Sequence, residues 1–293
     1  MRRLLAVALA LQVTTGTTIA TSAEPVRTTF LTSDKVRLRV LEAGPARTSG
    51  STQASPGPVI AFVPGWSMPG EIFRPQVEAL SEAHRVAVLD PRGQGESPIP
   101  KGGYSISRRA KDVAEFVARY PRVVLVGWSL GGLEALEAVH AHAPKSIAAL
   151  VLVDNSVGEG SPPKRRAGSF GEDLIRDREG TLDRFIRAMY RTPRPEDEVE
   201  RVKQAALRMP LQASLSIFPS KVPRSHWREI SQGFDKPLLY AITPQYAEQG
   251  RALKAARPQT RVELFADAGH ALFVDEPERF NRLLGDFVAS IPR

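Results

Sequence analysis

One segment constrains this chain more than any other: Val123-Val124-Leu125-Val126-Gly127-Trp128-Ser129-Leu130-Gly131-Gly132. Its apolar run reads as a fully buried strand. The run leads directly into Gly-x-Ser-x-Gly-Gly, and helical periodicity through Leu133, Leu136 and Val139 begins at once. A strand that becomes a helix in so few residues needs glycine on both sides of the turn, because side chains there would collide. Such a turn lifts the Ser129 hydroxyl above a sheet. It also sets the Leu130 backbone N–H at the positive end of a helix, where it can face a developing oxyanion. The competing reading is a glycine-rich turn whose serine only caps the helix.

The rest of the pattern agrees with a layered sheet. Arg27 to Leu41 alternates around Ser33-Asp34-Lys35 and predicts a hairpin, and the Gly-, Pro-, Ser- and Thr-rich stretch from Gly44 to Pro58 predicts a loop. Short apolar runs recur at Val59–Val63, Arg85–Leu89, Val123–Val126 and Ile147–Val153, separated by helical periodicity such as Val113, Phe116 and Val117. Buried runs alternating with amphipathic helices predict an α/β fold with a mostly parallel central sheet flanked by helices. After Asp154 the rhythm breaks. Leu182, Phe185, Ile186 and Met189 fall at helical spacing, as do Val199, Val202, Ala206 and Met209, between several prolines. Residues 156–235 are therefore expected to form a helical lid inserted after the sixth strand. The alternation resumes with strands at Leu238–Ile242 and Arg261–Phe265 and a last helix from Pro277 to Ile291. The expected core is 24–155 together with 236–293.

Residues 1–23 read differently. Arg2-Arg3, an apolar run from Leu4 to Val13, and small residues at Thr21-Ser22-Ala23 have the layout of an export signal cleaved after Ala23. The run is short against the roughly 20 residues needed to span a bilayer, so no stable membrane span is expected in the mature chain. The expected location is periplasmic or secreted. With no cysteine, thiolate metal sites and cysteine nucleophiles are excluded. The formal charge of +8 raises the question of nucleic acid. Removal of Arg2 and Arg3 leaves 38 basic against 32 acidic residues. Apart from Lys164-Arg165-Arg166, the signs interleave, as in Glu172-Asp173 followed by Arg176-Asp177-Arg178-Glu179. That pattern reads as solvated helix faces, not a phosphate-tracking stripe, and no nucleic acid partner is expected. The sequence specifies no oligomeric state.

Three further segments accompany the serine turn: Phe62-Val63-Pro64-Gly65-Trp66, Asp90-Pro91-Arg92-Gly93-Gln94-Gly95-Glu96-Ser97, and Ala268-Gly269-His270 followed by Glu276-Pro277. In order and spacing the chain resembles the α/β-hydrolase family over nearly all of its mature length. The first segment is similar to the family's His-Gly-x loop with proline in place of histidine, the second to its D-x-R-G-x-G-x-S segment, and the third to the site of its catalytic histidine. The resemblance implies Ser129 as nucleophile, His270 as general base, and the Trp66 and Leu130 amides as the oxyanion hole. It makes Asp90 and Arg92 structural. Of the five histidines, only His270 follows a late strand in a loop that could reach the serine.

The acid departs from the family pattern. The usual position after the seventh strand, counted from Pro237, falls on Tyr246, with Gln245 before it and no carboxylate. The alternative position, the end of the sixth strand, carries Asp154, which is the expected acid; Glu248 is the second candidate. Trp66, Met68, Trp128 and Phe273 are expected around the substrate, with Leu215, Ile217 and Phe218 of the lid as further apolar candidates. The elbow is similar to that of pimeloyl-carrier-protein methyl ester esterases, and Arg92 to Ser97 to cofactor-free haloperoxidases and arylesterases. The implied chemistry is hydrolysis of small to medium apolar esters through an acyl-serine, with no metal or organic cofactor. Perhydrolase, haloperoxidase-like or lactonase activity is a variant of it. The alternative from another class, motivated by the absent seventh-strand acid, is a binding or signalling protein on a hydrolase scaffold.

Overall fold

The computed structural model describes residues 25–45, 57–160, 170–218 and 222–292. The expected export signal, most of the Gly44–Pro58 loop and the Lys164-Arg165-Arg166 run lie outside the described residues.

An antiparallel pair, β1 (Val26–Leu31) and β2 (Arg37–Ala43), opens the chain, turning at Lys35 with φ +63°. Thr32 closes the turn by accepting the Lys35 N–H and donating its own N–H to Val36. Then come β3 (Val59–Val63), α1 (Arg74–Leu80), β4 (Val86–Leu89), α2 (Ile106–Val117), β5 (Val123–Trp128), α3 (Leu130–His142) and β6 (Ile147–Val153). Between β6 and the next strand lie α4 (Phe170–Arg176), α5 (Arg178–Ala188), α6 (Glu196–Leu207), α7 (Leu211–Ser216) and α8 (Arg224–Gly233). The chain closes with β7 (Leu238–Ile242), α9 (Ala247–Ala256), β8 (Arg261–Leu264), α10 (Leu272–Asp275) and α11 (Pro277–Ala289).

The eight strands form one sheet in the order β1-β2-β4-β3-β5-β6-β7-β8, in which only β2 runs against its neighbours. Every residue of β3, β4, β5 and β7 is buried, as a parallel strand covered on both faces requires. Strand residues alternate between two apolar cores. Ile60 and Phe62 join Phe73, Leu284 and the residues of α5, α6 and α7 on one face; Ala61, Val63, Leu125 and Leu152 join α2, α3, Trp227 and Ile230 on the other. So α4 to α7 share a core with the face of α1 and α11, while α8 lies against α3 and α9. Pro195, Pro210 and Pro223 each stand immediately before a helix, where a missing N–H costs nothing.

After β3 the chain adds β4 on one side and then crosses back to add β5 on the other. The carboxyl ends of β3 and β5 therefore diverge into a crevice, the place where open parallel sheets bind ligands. Among the described residues no helix is long and apolar enough to cross a membrane.

Candidate active site

Ser129 stands at the crevice, between β5 and α3, with φ +55° and ψ −120°. A non-glycine residue in that region stores roughly 1–3 kcal/mol of strain, which the surrounding turn must hold. The glycines do so by allowing backbone contact. A Cβ on Gly127 would overlap the Gly131 carbonyl, and one on Gly131 would overlap the Val63 and Pro64 carbonyls. The Ser129 N–H donates to the Val153 carbonyl at 2.9 Å, tying the turn to the end of β6. Its side chain makes no capping bond to α3, which removes the helix-cap reading. The hydroxyl lies instead 2.9 Å from His270 Nε2.

His270 is carried by the loop after β8. Its Nδ1 is 2.7 Å from Asp154 Oδ2. With Nδ1–H donating to that carboxylate, Nε2 is left as the acceptor for the Ser129 hydroxyl. The loop is anchored from three sides. The Trp128 indole donates to the His270 carbonyl at 2.9 Å, the Ala271 N–H donates to Met189 at 2.9 Å, and the Gly269 N–H donates to Asp275 Oδ2 at 2.7 Å.

Asp154 ends β6 with φ +44° and no solvent exposure. Its Oδ1 accepts from the Thr243 N–H and Oγ1, both at 2.7 Å, and its Oδ2 accepts from Gln245 Nε2 at 2.7 Å besides His270. Four donors on a buried carboxylate compensate the loss of water. Glu248, the other candidate acid, is on α9 and packs against Gly160, where a Cβ would stand 2.8 Å from its Oε1. Asp154 is thus the carboxylate that the fold brings to His270. Gln245, one residue before the usual acid position, turns back to hold it.

The loop after β3 brings Gly65, the residue before Trp66, against Ser129: a Cβ on Gly65 would stand 3.1 Å from the Ser129 Cβ. The Leu130 N–H is the first of α3 and has no intrahelical partner, and among the described residues the Trp66 N–H likewise donates to no protein acceptor. Both are free to meet a substrate oxygen. The Asp90–Ser97 segment braces this loop. Gln94 Nε2 donates to the Gly65 and Met68 carbonyls at 2.9 and 2.7 Å, and Arg109 holds the Gln94 Oε1 at 2.8 Å while pairing with buried Glu134. Asp90 accepts from the Gly70 and Glu96 N–H groups and from Arg39; burial pushes its carboxyl up and the cation opposes this. Arg92 clamps Asp112 and Asp34. Asp90 and Arg92 are structural in this arrangement, and Gln94 and Arg109 are functional supports that the sequence reading passed over.

The expected pocket residues are buried beside the site. Trp66, Met68, Trp128 and Phe273 are 5%, 1%, 1% and 0% exposed, respectively. The Trp66 indole donates to the Ser214 carbonyl of α7 at 2.8 Å and lies between Phe218 and the edges of Phe170 and Phe185. Trp128 packs on Phe73 and Phe273. Their faces are spent on neighbouring rings. A cleft of about 590 Å³ that opens on Ser129 and His270 is lined by residues that include Phe185, Met189, Arg191, Thr243, Gln245 and Tyr246. Of the other apolar lid candidates, Ile217 is buried and Leu215 and Phe218 are partly buried against the same core. Among the described residues no cluster of three or more His, Asp or Glu side chains could hold a metal.

Comparisons with known proteins point one way. The sequence model of the alpha/beta hydrolase family matches residues 60–283. A pimeloyl-[acyl-carrier protein] methyl ester esterase of Vibrio atlanticus is 30% identical over 249 residues, covering 76% of this chain and 92% of that protein. Among solved structures, an esterase from Exiguobacterium antarcticum superposes with a TM-score of 0.76 at 21% identity, covering 90% of this chain and all of that one. A bromoperoxidase from Bacillus anthracis superposes with a TM-score of 0.73 at 21% identity, with 90% and 100% covered. At that identity the two structures speak for the fold.

Proposed function

Because this chain belongs to the alpha/beta hydrolase family, we propose that it is an exported serine hydrolase that cleaves small to medium carboxylic esters through an acyl-serine intermediate. The observation that carries the reading is the unbroken chain of hydrogen bonds from Ser129 through His270 to Asp154. His270 Nε2 takes the proton as Ser129 Oγ attacks the ester carbonyl, and Asp154 stabilises the imidazolium that results. The carbonyl oxygen, now an anion, is held by the Trp66 and Leu130 N–H groups. The imidazolium returns its proton to the departing alkoxide, leaving an acyl-serine. Water deprotonated by His270 then attacks the acyl carbon, and Ser129 recovers its proton as the acid leaves.

The cleft volume suits a small ligand. The pimeloyl-[acyl-carrier protein] relative acts on an ester borne by a carrier protein. An exported enzyme would not meet such a carrier, so a free ester is the better substrate here. The reading of a silent binding protein began from the missing carboxylate after β7; Asp154 at the end of β6 speaks against it. The same acyl-enzyme, attacked by hydrogen peroxide, would yield a peracid, and a lactone would open by the same steps.

The mature protein assayed against esters of graded acyl and alcohol length should turn over the short and medium members. No hydrolysis across the panel would remove the reading. Export is supported by the amino-terminal pattern. Expression of the full chain in a bacterial host should give extracytoplasmic protein whose amino terminus is Glu24; full-length protein confined to the cytoplasm would contradict it.

A further inference from the structure

We propose that Arg191 makes this a hydrolase of esters that carry a carboxylate at a distance from the scissile bond; the inference rests on the serine-hydrolase reading. Besides His270, Arg191 is the one ionisable cation among the described residues that line the cleft. The other polar lining groups are neutral: Thr243, Gln245 and Tyr246, whose phenol burial pushes up.

The backbone of Arg191 is fixed by the catalytic loop itself. Asp275 Oδ2 accepts from both the Gly269 and the Arg191 N–H groups, at 2.7 and 2.8 Å, and its Oδ1 accepts from the Thr192 N–H at 3.2 Å. The neighbouring Met189 carbonyl accepts from Ala271. One carboxylate therefore locks the Arg191 backbone to the residue preceding His270, so the exposed Arg191 side chain starts from a fixed point beside the catalytic loop.

The guanidinium itself is uncommitted. Among the described residues no carboxylate lies within ion-pair distance of it. Asp275 spends its oxygens on backbone N–H groups, Asp154 on the four donors above, and Asp267 is outside the cleft lining. Residues 161–169 and 219–221, between β6 and β7 but outside the described set, contain no acidic side chain. Several nearby arginines are paired with carboxylates: Arg184 with Asp177, Arg187 with Asp183 and Glu196, Arg194 with Glu198, while Arg178 is committed to the Met209 carbonyl. An arginine with no carboxylate partner among the described residues, lining the same cleft as a serine and histidine, is available to a ligand. Its planar fork suits a carboxylate. Phe185 and Met189, in the same lining, suit the methylene chain between that carboxylate and the ester.

Two chain-matched pairs test this: methyl hexanoate against monomethyl adipate, with the charge on the acyl side, and butyl acetate against 4-acetoxybutanoate, with the charge on the alcohol side. In one of the pairs the anionic ester should show the higher kcat/KM. In Arg191→Gln the anionic-to-neutral ratio for that pair should fall about tenfold, mainly through KM, as expected for one charge-assisted contact. Arg191→Lys should recover part of it. Arg74→Gln, which removes an exposed positive charge outside the cleft lining, should leave the ratio unchanged. Hydrolysis of the neutral esters with a ratio that Arg191→Gln does not move, or that Arg74→Gln moves equally, overturns the anion proposal and leaves the serine-hydrolase reading standing. No hydrolysis of any of the four esters overturns both.

Discussion

Ser129→Ala is expected to lower kcat on the best ester of the panel by about 10⁵-fold or more while the protein stays folded. The two halves of this expectation have separate causes. The rate collapses because nothing else in the cleft can form the acyl bond: His270 Nε2 loses the hydroxyl it faces at 2.9 Å, and only the Trp66 and Leu130 amides remain to polarise the carbonyl. The fold survives because the Ser129 side chain does no structural work. Its Oγ makes no capping bond, and the turn is held by its backbone N–H to Val153 and by the glycine contacts around it. Stability should change by no more than about 1 kcal/mol, the net worth of one hydrogen bond. Turnover in the purified alanine variant within tenfold of the wild type would contradict the assignment.

Asp154→Asn has the next largest expected effect, a fall of about 10⁴-fold in kcat. The carboxylate accepts from His270 Nδ1–H and so leaves Nε2 as a base. An amide nitrogen placed at that position donates, which favours the tautomer with hydrogen on Nε2, pointing the wrong way at Ser129. Turning the amide over would restore His270 but set the nitrogen against the two Thr243 donors. Gln245 can rotate its own amide to accept, so the buried site finds partners at the cost of the catalytic tautomer. A loss of roughly 2 kcal/mol of stability should accompany the change, since charge-assisted bonds to a buried carboxylate are replaced by neutral ones. Glu248→Gln, altering a carboxylate that packs on Gly160, should keep turnover within about twofold. Near-normal kcat in the Asp154 variant, or the large loss falling on the Glu248 variant, would remove Asp154 from its role.

Much of this architecture is written locally. Val123 to Val126 must be a buried strand, Gly127 and Gly131 must flank a tight turn, and both are decided by neighbours within a few residues. His270 is legible because its loop follows a strand late in the chain. Asp154 is preferred to Glu248 only through the family's alternative acid position, not through any local pattern. Which of them meets His270 depends on how β6 and α9 are set against each other across the sheet, a tertiary fact. Thr243 and Gln245 were hidden for the same reason: their role appears only when the β7 loop lies over the end of β6. The apolar pocket candidates illustrate a different limit. Trp66, Met68, Trp128 and Phe273 are near the serine in sequence pattern and in space, but large apolar side chains next to a site are drawn into the core that supports it. The cleft lining comes from the end of α5, the segment after it and the loops after β7 and β8, whose approach to Ser129 no local signal records.

The central claim is that Ser129 is a nucleophile activated within this cleft. A fluorophosphonate probe that esterifies activated serines tests it without knowledge of the natural substrate. The purified protein, treated with the probe, digested and mapped by mass spectrometry, should carry one adduct on the peptide containing Gly127 to Gly132, at Ser129. Labelling should vanish in Ser129→Ala and slow sharply in His270→Ala. An unlabelled wild-type protein, or an adduct on another serine that persists in Ser129→Ala, would contradict the account.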